Sequence, residues 1–348
     1  MKQNKISLKL DKSTKVLVVS DIHLRLPITN QLGLIQKSLC NRISELSKHK
    51  QALLVFNGDI FELWEQTSQT IEDIINAFAD LTKSIQDFEG KNHQVVFTIG
   101  NHDDSAAALN NIAIIRKLWR ASVATNLELS MNGKLVLIEH GHEHDPYNRS
   151  GSEGATHGKT LVRSTLPKLT RTMPTLFDGI SDVVNRAYLP GFVLSQLAYK
   201  ILAPVVFPIT LVFSLYFYFI GKDTRFIFAF LIVWVANWLL ILAVDNLLRL
   251  IGKHTLGGGT SYLKDLDKYH TKLKFNYLIL GHTHDGGVWQ RKGYTYANSG
   301  CNDTVAVPKL GWLGLHKFFR YVQMSDIQIE PAKKQPINYQ EQLMPLVK

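Results

Sequence analysis

Two apolar runs separated by four residues constrain this chain more than any other feature. Ile201 to Gly221 (ILAPVVFPITLVFSLYFYFIG) runs 21 residues without a charge and Phe226 to Val244 (FIFAFLIVWVANWLLILAV) runs 19, with only Lys222-Asp223-Thr224-Arg225 between them. As a helix each would be about 30 Å long at about 1.5 Å per residue, the hydrocarbon thickness of a bilayer. An in-plane or re-entrant pair would also accommodate them, and so would two core helices of a soluble protein. Core helices are usually shorter and keep a polar stripe, however, whereas Asn237 is the single polar residue of the second run. A transmembrane hairpin is therefore expected, with Pro204 and Pro208 tolerated near its start. Both long flanks would then share one side of the membrane. Arg186, Lys200, Arg249 and Lys253 lie on that side, against Lys222 and Arg225 in the far loop, so the flanks are expected to face the cytoplasm. The first sixteen residues are polar and do not read as a secretory signal, which agrees with that orientation.

Outside the hairpin the chain reads as an α/β protein. Lys15 to Ser20, Ala52 to Asn57, Gln94 to Ile99, Lys134 to Glu139 and Phe275 to Leu280 are short, β-branched and end in polar turns, as buried strands do. Asn30 to His49, Thr70 to Phe88 and Ser105 to Leu118 carry apolar residues three and four apart, giving a βαβαβ order. Further short strands are expected at GVWQR, YTYAN and HKFFRYVQM, and the residues after 330 read as a tail. The two cysteines, Cys40 and Cys301, cannot build a disulfide framework, and no Cys-x-x-Cys pair is present; the chain suits a reducing compartment. The net charge of +10 calls for an anionic partner: nucleic acid, a phosphorylated substrate or an anionic membrane surface.

Each of the five strands is followed at once by metal-ligating residue types, which is where open α/β sheets place their sites. The clusters are Asp21-Ile22-His23, Gly58-Asp59, Gly100-Asn101-His102-Asp103, His140-Gly141-His142 and Gly281-His282-Thr283-His284. Carboxylates, imidazoles and an amide without a thiolate make a mixed nitrogen and oxygen site suited to Mn²⁺, Fe, Zn²⁺ or Mg²⁺. Seven such ligands exceed what one ion holds. Two ions about 3.5–4 Å apart, sharing a carboxylate, would use them all and form the clamp that serves in-line displacement at phosphorus.

The ordered blocks DIH, GD, GNHD, HGH and GHTH resemble those of the calcineurin-like metallophosphoesterase superfamily, over Asp21 to His284. The resemblance implies a four-layer α/β/β/α sandwich carrying the hairpin as an insertion. It implies two divalent metal ions, Mn²⁺ being the leading candidate. Asp21, His23, Asp59 and His284 would hold the first, and Asp59 would bridge to a second held by Asn101, His140 and His282. A metal-bridging hydroxide would attack phosphorus. His102 would be the catalytic histidine, meeting the phosphate or the leaving oxygen, with Asp103 orienting its ring. His142 could be a ligand, a phosphate contact or a bystander, and His144 reads as a bystander. The longer stretch Gly58 to Trp64 (GDIFELW) resembles UDP-2,3-diacylglucosamine pyrophosphohydrolases, which cut a pyrophosphate in a nucleotide-linked lipid. The chain departs from those enzymes in having His102 where they usually carry Arg, and in its hairpin.

Block spacing locates the insertion. Asp21 to Asp59, Asp59 to Asn101 and Asn101 to His140 are 38, 42 and 39 residues apart, whereas His140 to His282 is 142. The expected division is a catalytic domain in two parts, 1–145 and 260–330, an insertion over 146–259 and a tail over 331–348. The insertion holds a basic stretch, Lys159 to Arg171, and the hairpin. Rooted between two ligand loops, it is expected to bring the metals close to the membrane surface and so to favour a phosphorylated, lipid-linked substrate. A soluble phosphoester such as a cyclic nucleotide is the alternative substrate, and a non-catalytic scaffold the alternative class. Nucleic acid is not expected, because the basic residues are not interleaved with aromatics as a strand-binding groove requires. The sequence leaves the oligomeric state open.

Overall fold

The computed structural model describes residues 4–64, 69–103, 109–145, 148–149, 160, 164, 166–173, 189–255, 259–311 and 314–345. Arg186 and most of the basic stretch from Lys159 lie outside them, as do the first residues of the helix expected from Ser105. Two compact units are formed. The first comprises Met1–Arg163, Tyr262–Val305 and Tyr321–Lys348; the second comprises Ser164–Ser261 and Ala306–Arg320.

The strands of the first unit are β1 (Lys5–Leu10), β2 (Thr14–Val19), β3 (Gln51–Asn57), β4 (Gln94–Thr98), β5 (Ser122–Ala124), β6 (Asn126–Met131) and β7 (Lys134–Glu139). They continue after the insertion as β8 (Tyr277–Leu280), β9 (Gly287–Arg291), β10 (Tyr294–Asn298), β11 (Thr304–Leu310), β12 (His316–Ile329) and β13 (Ile337–Pro345). One sheet has the order β1-β6-β7-β8-β10-β9, and the other β11-β12-β2-β3-β4-β5 with β13 on β12. Strands β2 to β5 run parallel, as do β7 and β8. Helices α1 (Asn30–Leu46), α2 (Ile71–Ala77), α3 (Ala79–Glu89) and α4 (Leu109–Trp119) follow β2, β3 and β4. The helix expected over Thr70 to Phe88 is broken at Phe78, whose backbone leaves the helical region.

The alternation of side chains along each strand explains the layers. Leu17, Val19, Leu54 and Phe56 face one core with Leu32, Ile35, Ile74, Ile85 and Trp119 of the helices. Their neighbours Val16, Val18, Leu53 and Val55 face a second core, shared with Leu127, Val136, Ile138 and Ile279 of the other sheet. Leu137, Leu278 and Leu280 point the opposite way, onto Leu266 of a later helix. The result is the four-layer α/β/β/α sandwich. Because each central strand is buried on both faces, it reads as an unbroken apolar run.

The expected tail is a correction. Residues 337–345 form β13, paired antiparallel with β12 from Ile337 opposite Ile329 to Pro345 opposite Tyr321. An edge strand keeps only part of its surface dry, here Ile337 with Tyr339 packed on the inner core, so its sequence INYQEQLMP shows too little apolar character to be read as a strand.

In the second unit, α5 (Leu166–Thr172) precedes α6 (Leu189–Leu197), a π-helical stretch Ala198–Val206, α7 (Phe207–Gly221) and α8 (Arg225–Thr255). Pro204 lies in the π-helical stretch, where its missing N–H and bulky ring are compatible with a shifted hydrogen-bond register. Helix α9 (Gly259–Leu273) leads on to β8. Gly191–Gly221 and Arg225–Leu247 are each long and apolar enough to cross a membrane, and 0% and 6% of their most apolar windows are buried within the protein. Trp234 Nε1 donates to Thr210 Oγ1 at 3.0 Å and stacks edgewise on Phe207, joining the two helices. Residues 306–320, assigned from sequence to the catalytic domain, group with these helices instead.

Removing residues 337–345 is expected to lower the melting temperature of the protein by several degrees and to open the β12 edge to proteolysis, since a strand's worth of ladder bonds is lost. An unchanged melting curve and digestion pattern would show β13 to be dispensable.

Candidate metal centre

The ligand-bearing loops leave the carboxyl ends of β2, β3, β4, β7 and β8, and the backbone stitches them together. Asp21 N–H donates to the Gly58 carbonyl at 3.0 Å, and Ile22 and His23 N–H donate to the Asp59 carbonyl at 2.9 and 3.1 Å. Asp21, His23, Asp59, His282 and His284 all adopt positive φ, between 51° and 67°. Such conformations cost about 1–3 kcal/mol each and persist only where the surroundings enforce them. They belong to side chains whose donor atoms converge in two clusters. Glycine is required beside them for space: a Cβ on Gly100 would sit 2.2 Å from Asp59 Oδ1, and one on Gly281 would sit 2.5 Å from Asp21 Oδ2.

All seven sequence-predicted ligands are brought together, in two groups. In the first, donor atoms of Asp21, His23 and His284 lie within 4.8 Å of one another, with His284 Nε2 3.1 Å from Asp21 Oδ1. In the second, Asp59, His140 and His282 meet the same limit. His140 Nε2 is 3.0 Å from Asp59 Oδ2 and 3.2 Å from the amide oxygen of Asn101. His140 Nδ1 lies 3.0 Å from the Asn57 carbonyl, an acceptor, so Nδ1 carries a proton and Nε2 is the nitrogen that could serve as a ligand. The same logic applies to His23: its Nδ1 faces the Glu62 carboxylate at 3.0 Å, which leaves Nε2 as the lone-pair nitrogen. His23 Nε2 is buried and has no hydrogen-bond partner. A buried nitrogen lone pair in a nest of carboxylates and imidazoles fits a divalent cation, and the donor set of nitrogen and oxygen fits a hard or borderline one.

Electrostatics hold the cluster in an ionised state. Burial alone would raise the Asp59 pKa, but the His140 and His102 imidazoles hold its carboxyl well below the usual carboxylate range. Burial likewise opposes charge on His140 and His102, yet Asp59 and Asp21 push the first to about 9, and Glu62 and Asp59 push the second to about 9. Burial dominates at His282, which is pushed down to about 4 although Asp145 Oδ2 lies 3.0 Å from its Nε2. His284 rises well above its ordinary value, since Asp21 outweighs its burial.

The catalytic candidates differ from expectation at one residue. His102 Nδ1 faces Glu62 Oε2 at 2.7 Å, and its ring stacks on Trp64 at 4.3 Å and meets His23 edge-on at 4.7 Å. Asp103, expected to orient this ring, instead accepts backbone N–H groups of Phe61 at 2.7 Å, Gly100 at 3.2 Å and Ile60 at 3.3 Å. A carboxylate one residue away in sequence is well placed to tie its own loop to the next one. Burial, reinforced by the nearby Asp59 charge, lifts the Asp103 pKa to about 7. His142 sits beside the second group, 5.5 Å from His140 and 6.5 Å from His282 between ring centroids. His144 is turned onto Glu139 at 2.7 Å and Tyr269.

Sequence reading missed Glu62 and Asp145. Glu62 was within sight, since it lies in the stretch GDIFELW. Asp145 carries no such signal: it reaches His282 across 137 positions of chain.

Residues 14–172, a little under half of the chain, match the calcineurin-like phosphoesterase family model. Similar solved structures include an archaeal phosphodiesterase, at 10% identity over 95% of this chain and 99% of that one, with a TM-score of 0.35. A dimetal phosphatase from Danio rerio shares 12% identity over 97% and 100%, with a TM-score of 0.34. A predicted phosphoesterase from Streptococcus pneumoniae shares 10% over 94% and 97%, at 0.29. Likenesses this distant carry no residue roles to this chain. No curated protein matches it.

Replacing Glu62 by Ala removes the acceptor that fixes two imidazoles, and second-sphere losses of this kind typically cost about 10–100-fold in metal affinity or activity. Glu62→Ala is expected to lose that much, and Glu62→Gln, which keeps one acceptor oxygen, less; wild-type affinity and turnover in both would show that the carboxylate is not needed. Metal loading should also release protons. His140, at about 9 without metal, is protonated at neutral pH and must lose that proton to bind through Nε2. Affinity is therefore expected to rise with pH from about 6 to about 9, and the calorimetric heat to vary with the buffer's ionisation enthalpy. A flat pH profile with no buffer dependence would contradict the assignment.

Proposed function

We propose that the protein is a membrane-anchored phosphoesterase that hydrolyses a phosphate or pyrophosphate bond of a lipid-linked substrate at two divalent ions, Mn²⁺ first among them. The observation that carries the membrane reading is the lack of burial in two helical spans, Gly191–Gly221 and Arg225–Leu247, whose most apolar windows are 0% and 6% buried within the protein. Phe213, Phe219 and Ile232 are 60%, 71% and 67% exposed. Soluble proteins rarely present an apolar surface of this extent, and hydrocarbon would cover it. The basic residues flanking the pair, Arg186, Lys200, Arg249 and Lys253 on the side of the hydrolase domain, favour a cytoplasmic position for that domain.

Asp21, His23, Asp59 and His284 would hold one ion, and Asp59, Asn101, His140 and His282 the other. The ions would neutralise charge at phosphorus and lower the pKa of water toward about 7. The rest falls to the chain. With Nδ1 committed to Glu62 and its face packed on Trp64, His102 has Nε2 as the position from which it can donate. The Glu62 and Asp59 carboxylates hold it protonated at neutral pH. It can therefore give its Nε2 proton to the departing oxygen, a contribution of typically about 10²–10⁴-fold. Burial of Asp59, Asn101 and His140 keeps bulk water from competing for the ligands.

Detergent-solubilised protein supplied with Mn²⁺ is expected to turn over lipid-linked phosphoesters or pyrophosphates faster than water-soluble ones such as cyclic nucleotides. Comparable rates on both would overturn the lipid preference. His102→Gln is expected to lower kcat by about 10²–10⁴-fold and Asp59→Asn to abolish activity; retained turnover in either would remove the corresponding role. Alkaline extraction should leave the protein in the membrane pellet, and its release would remove the anchor.

A further inference from the structure

The second unit contains a segment that the apolar helices do not explain. Residues 306–320, the end of β11, a connecting turn and the start of β12, come some sixty positions after α8 begins its last turns, yet they pack with these helices. Phe318 meets Phe192 edge-on at 5.0 Å, with Ala306 in the same small core. Tyr199 Oη donates to the Leu315 carbonyl at 3.0 Å. A Cβ on Gly314 would lie 3.4 Å from Leu242, and His316 Nδ1 lies 3.9 Å from Asp245.

These contacts fix the level of the segment along the helices. Tyr199 and Lys200 immediately precede the apolar run Ile201 to Gly221, and Leu242 and Asp245 lie at the end of the run Phe226 to Val244. The strand turn is therefore seated where both apolar runs give way to charge. What it shows at that level is an unusual mixture for a soluble surface. Leu310 is 73% and Phe319 40% exposed. Lys309 and Lys317 each place an ammonium 5.6 Å from the Phe319 ring, and Lys317 lies 6.0 Å from the Tyr199 ring. Residues 306–320 hold Lys309, Lys317 and Arg320 and no acidic residue. Exposed apolar and aromatic groups with lysine stems lying along them are the chemistry of a headgroup zone. Rings sit at the boundary of hydrocarbon and water there, while ammonium groups reach phosphates.

We infer that Lys309, Leu310, Lys317 and Phe319 form a second membrane contact, an interfacial ledge that binds anionic phospholipid headgroups beside the helical pair. The inference rests on the membrane reading of that pair. The ledge lies in the end of β11 and the first part of β12, whose later residues belong to the sheet of the first unit. The occupant is a lipid surface, because Lys309 and Lys317 lie beside exposed apolar groups at the same level, while the nearby Asp245 is buried and residues 306–320 themselves carry no acidic residue.

The test uses the full-length protein in lipid nanodiscs. An environment-sensitive fluorophore is attached at Leu310→Cys, at Phe213→Cys on α7 or at Lys48→Cys on α1, each in a Cys40→Ser background, and nitroxide-bearing lipids act as quenchers. The label at 310 is expected to be quenched by headgroup-level nitroxide, more strongly in phosphatidylglycerol-containing discs than in phosphatidylcholine discs, while 213 is quenched by chain-level nitroxide and 48 by neither. A basic residue near an anionic surface is worth about fivefold in local partitioning, so Lys309→Glu with Lys317→Glu should cut the quenching at 310 in anionic discs several-fold. If 213 is quenched and 310 stays in water, the ledge is overturned and the helical anchor stands. If 213 is unquenched as well, the membrane reading itself falls. Equal quenching at 310 in both lipid compositions, or quenching unaffected by charge reversal, would overturn the assignment to anionic headgroups.

Discussion

The site is organised around a carboxylate that water cannot reach. Asp59 is 2% exposed, and an ion so placed survives only if other charges and N–H groups take over the work of solvent. Its two oxygens are divided accordingly, one to the His102 backbone N–H at 2.7 Å and the other to His140 Nε2 at 3.0 Å. That single requirement reaches far. It needs β3 between β2 and β4 in parallel register, so that three loops converge on one edge, and β7 opposite, so that His140 arrives from the other sheet. It needs a left-handed turn at Asp59 itself and a residue without Cβ at position 100. The sandwich can be described as the scaffold that makes this one burial tolerable.

Glu62 extends the same economy to a second carboxylate. At 3% exposure it accepts from both His23 and His102, and their imidazoles hold it well below the usual carboxylate range despite its burial. One side chain therefore sets the tautomer of a candidate metal ligand and the ring orientation of the candidate proton donor. The two are coupled mechanically and electrostatically. Trp64, two residues on, stacks on the ring of His102, so a run of seven residues after β3 supplies the candidate bridging ligand, a shared acceptor and a stacking wall.

Much of this was legible because doubly buried strands are simple signals. Lys134 to Glu139, GVWQR and YTYAN occupy the strands expected of them, and the cluster after each central strand falls where the ligands gather. Legibility failed where a residue's partner is set by geometry and not by its neighbours. Asp103 adjoins His102 in sequence but faces backbone amides, whereas Glu62, forty positions away, takes the ring. It failed again at the sheet margins: β1 alternates Lys and Ser with Ile and Leu and merged with a polar start, and β13 was mistaken for a tail. The turn of residues 306–320 onto the apolar helices left no trace in periodicity at all, because packing against another segment is a property of the pair.

The position of the apolar helices within the sandwich has a consequence for how the molecule is made. Asp21, His23, Asp59, Asn101 and His140 all leave the ribosome before α7 and α8, and His282 and His284 leave after them. Domains fold largely in the order of synthesis, so the nascent sandwich, lacking β8 to β13, holds five of the seven candidate ligands until both helices have been synthesised. The full set of candidate ligands can assemble only on a chain whose helical pair is already complete. Synthesis order thus acts as a checkpoint, completing the candidate ligand set only after the apolar segment exists.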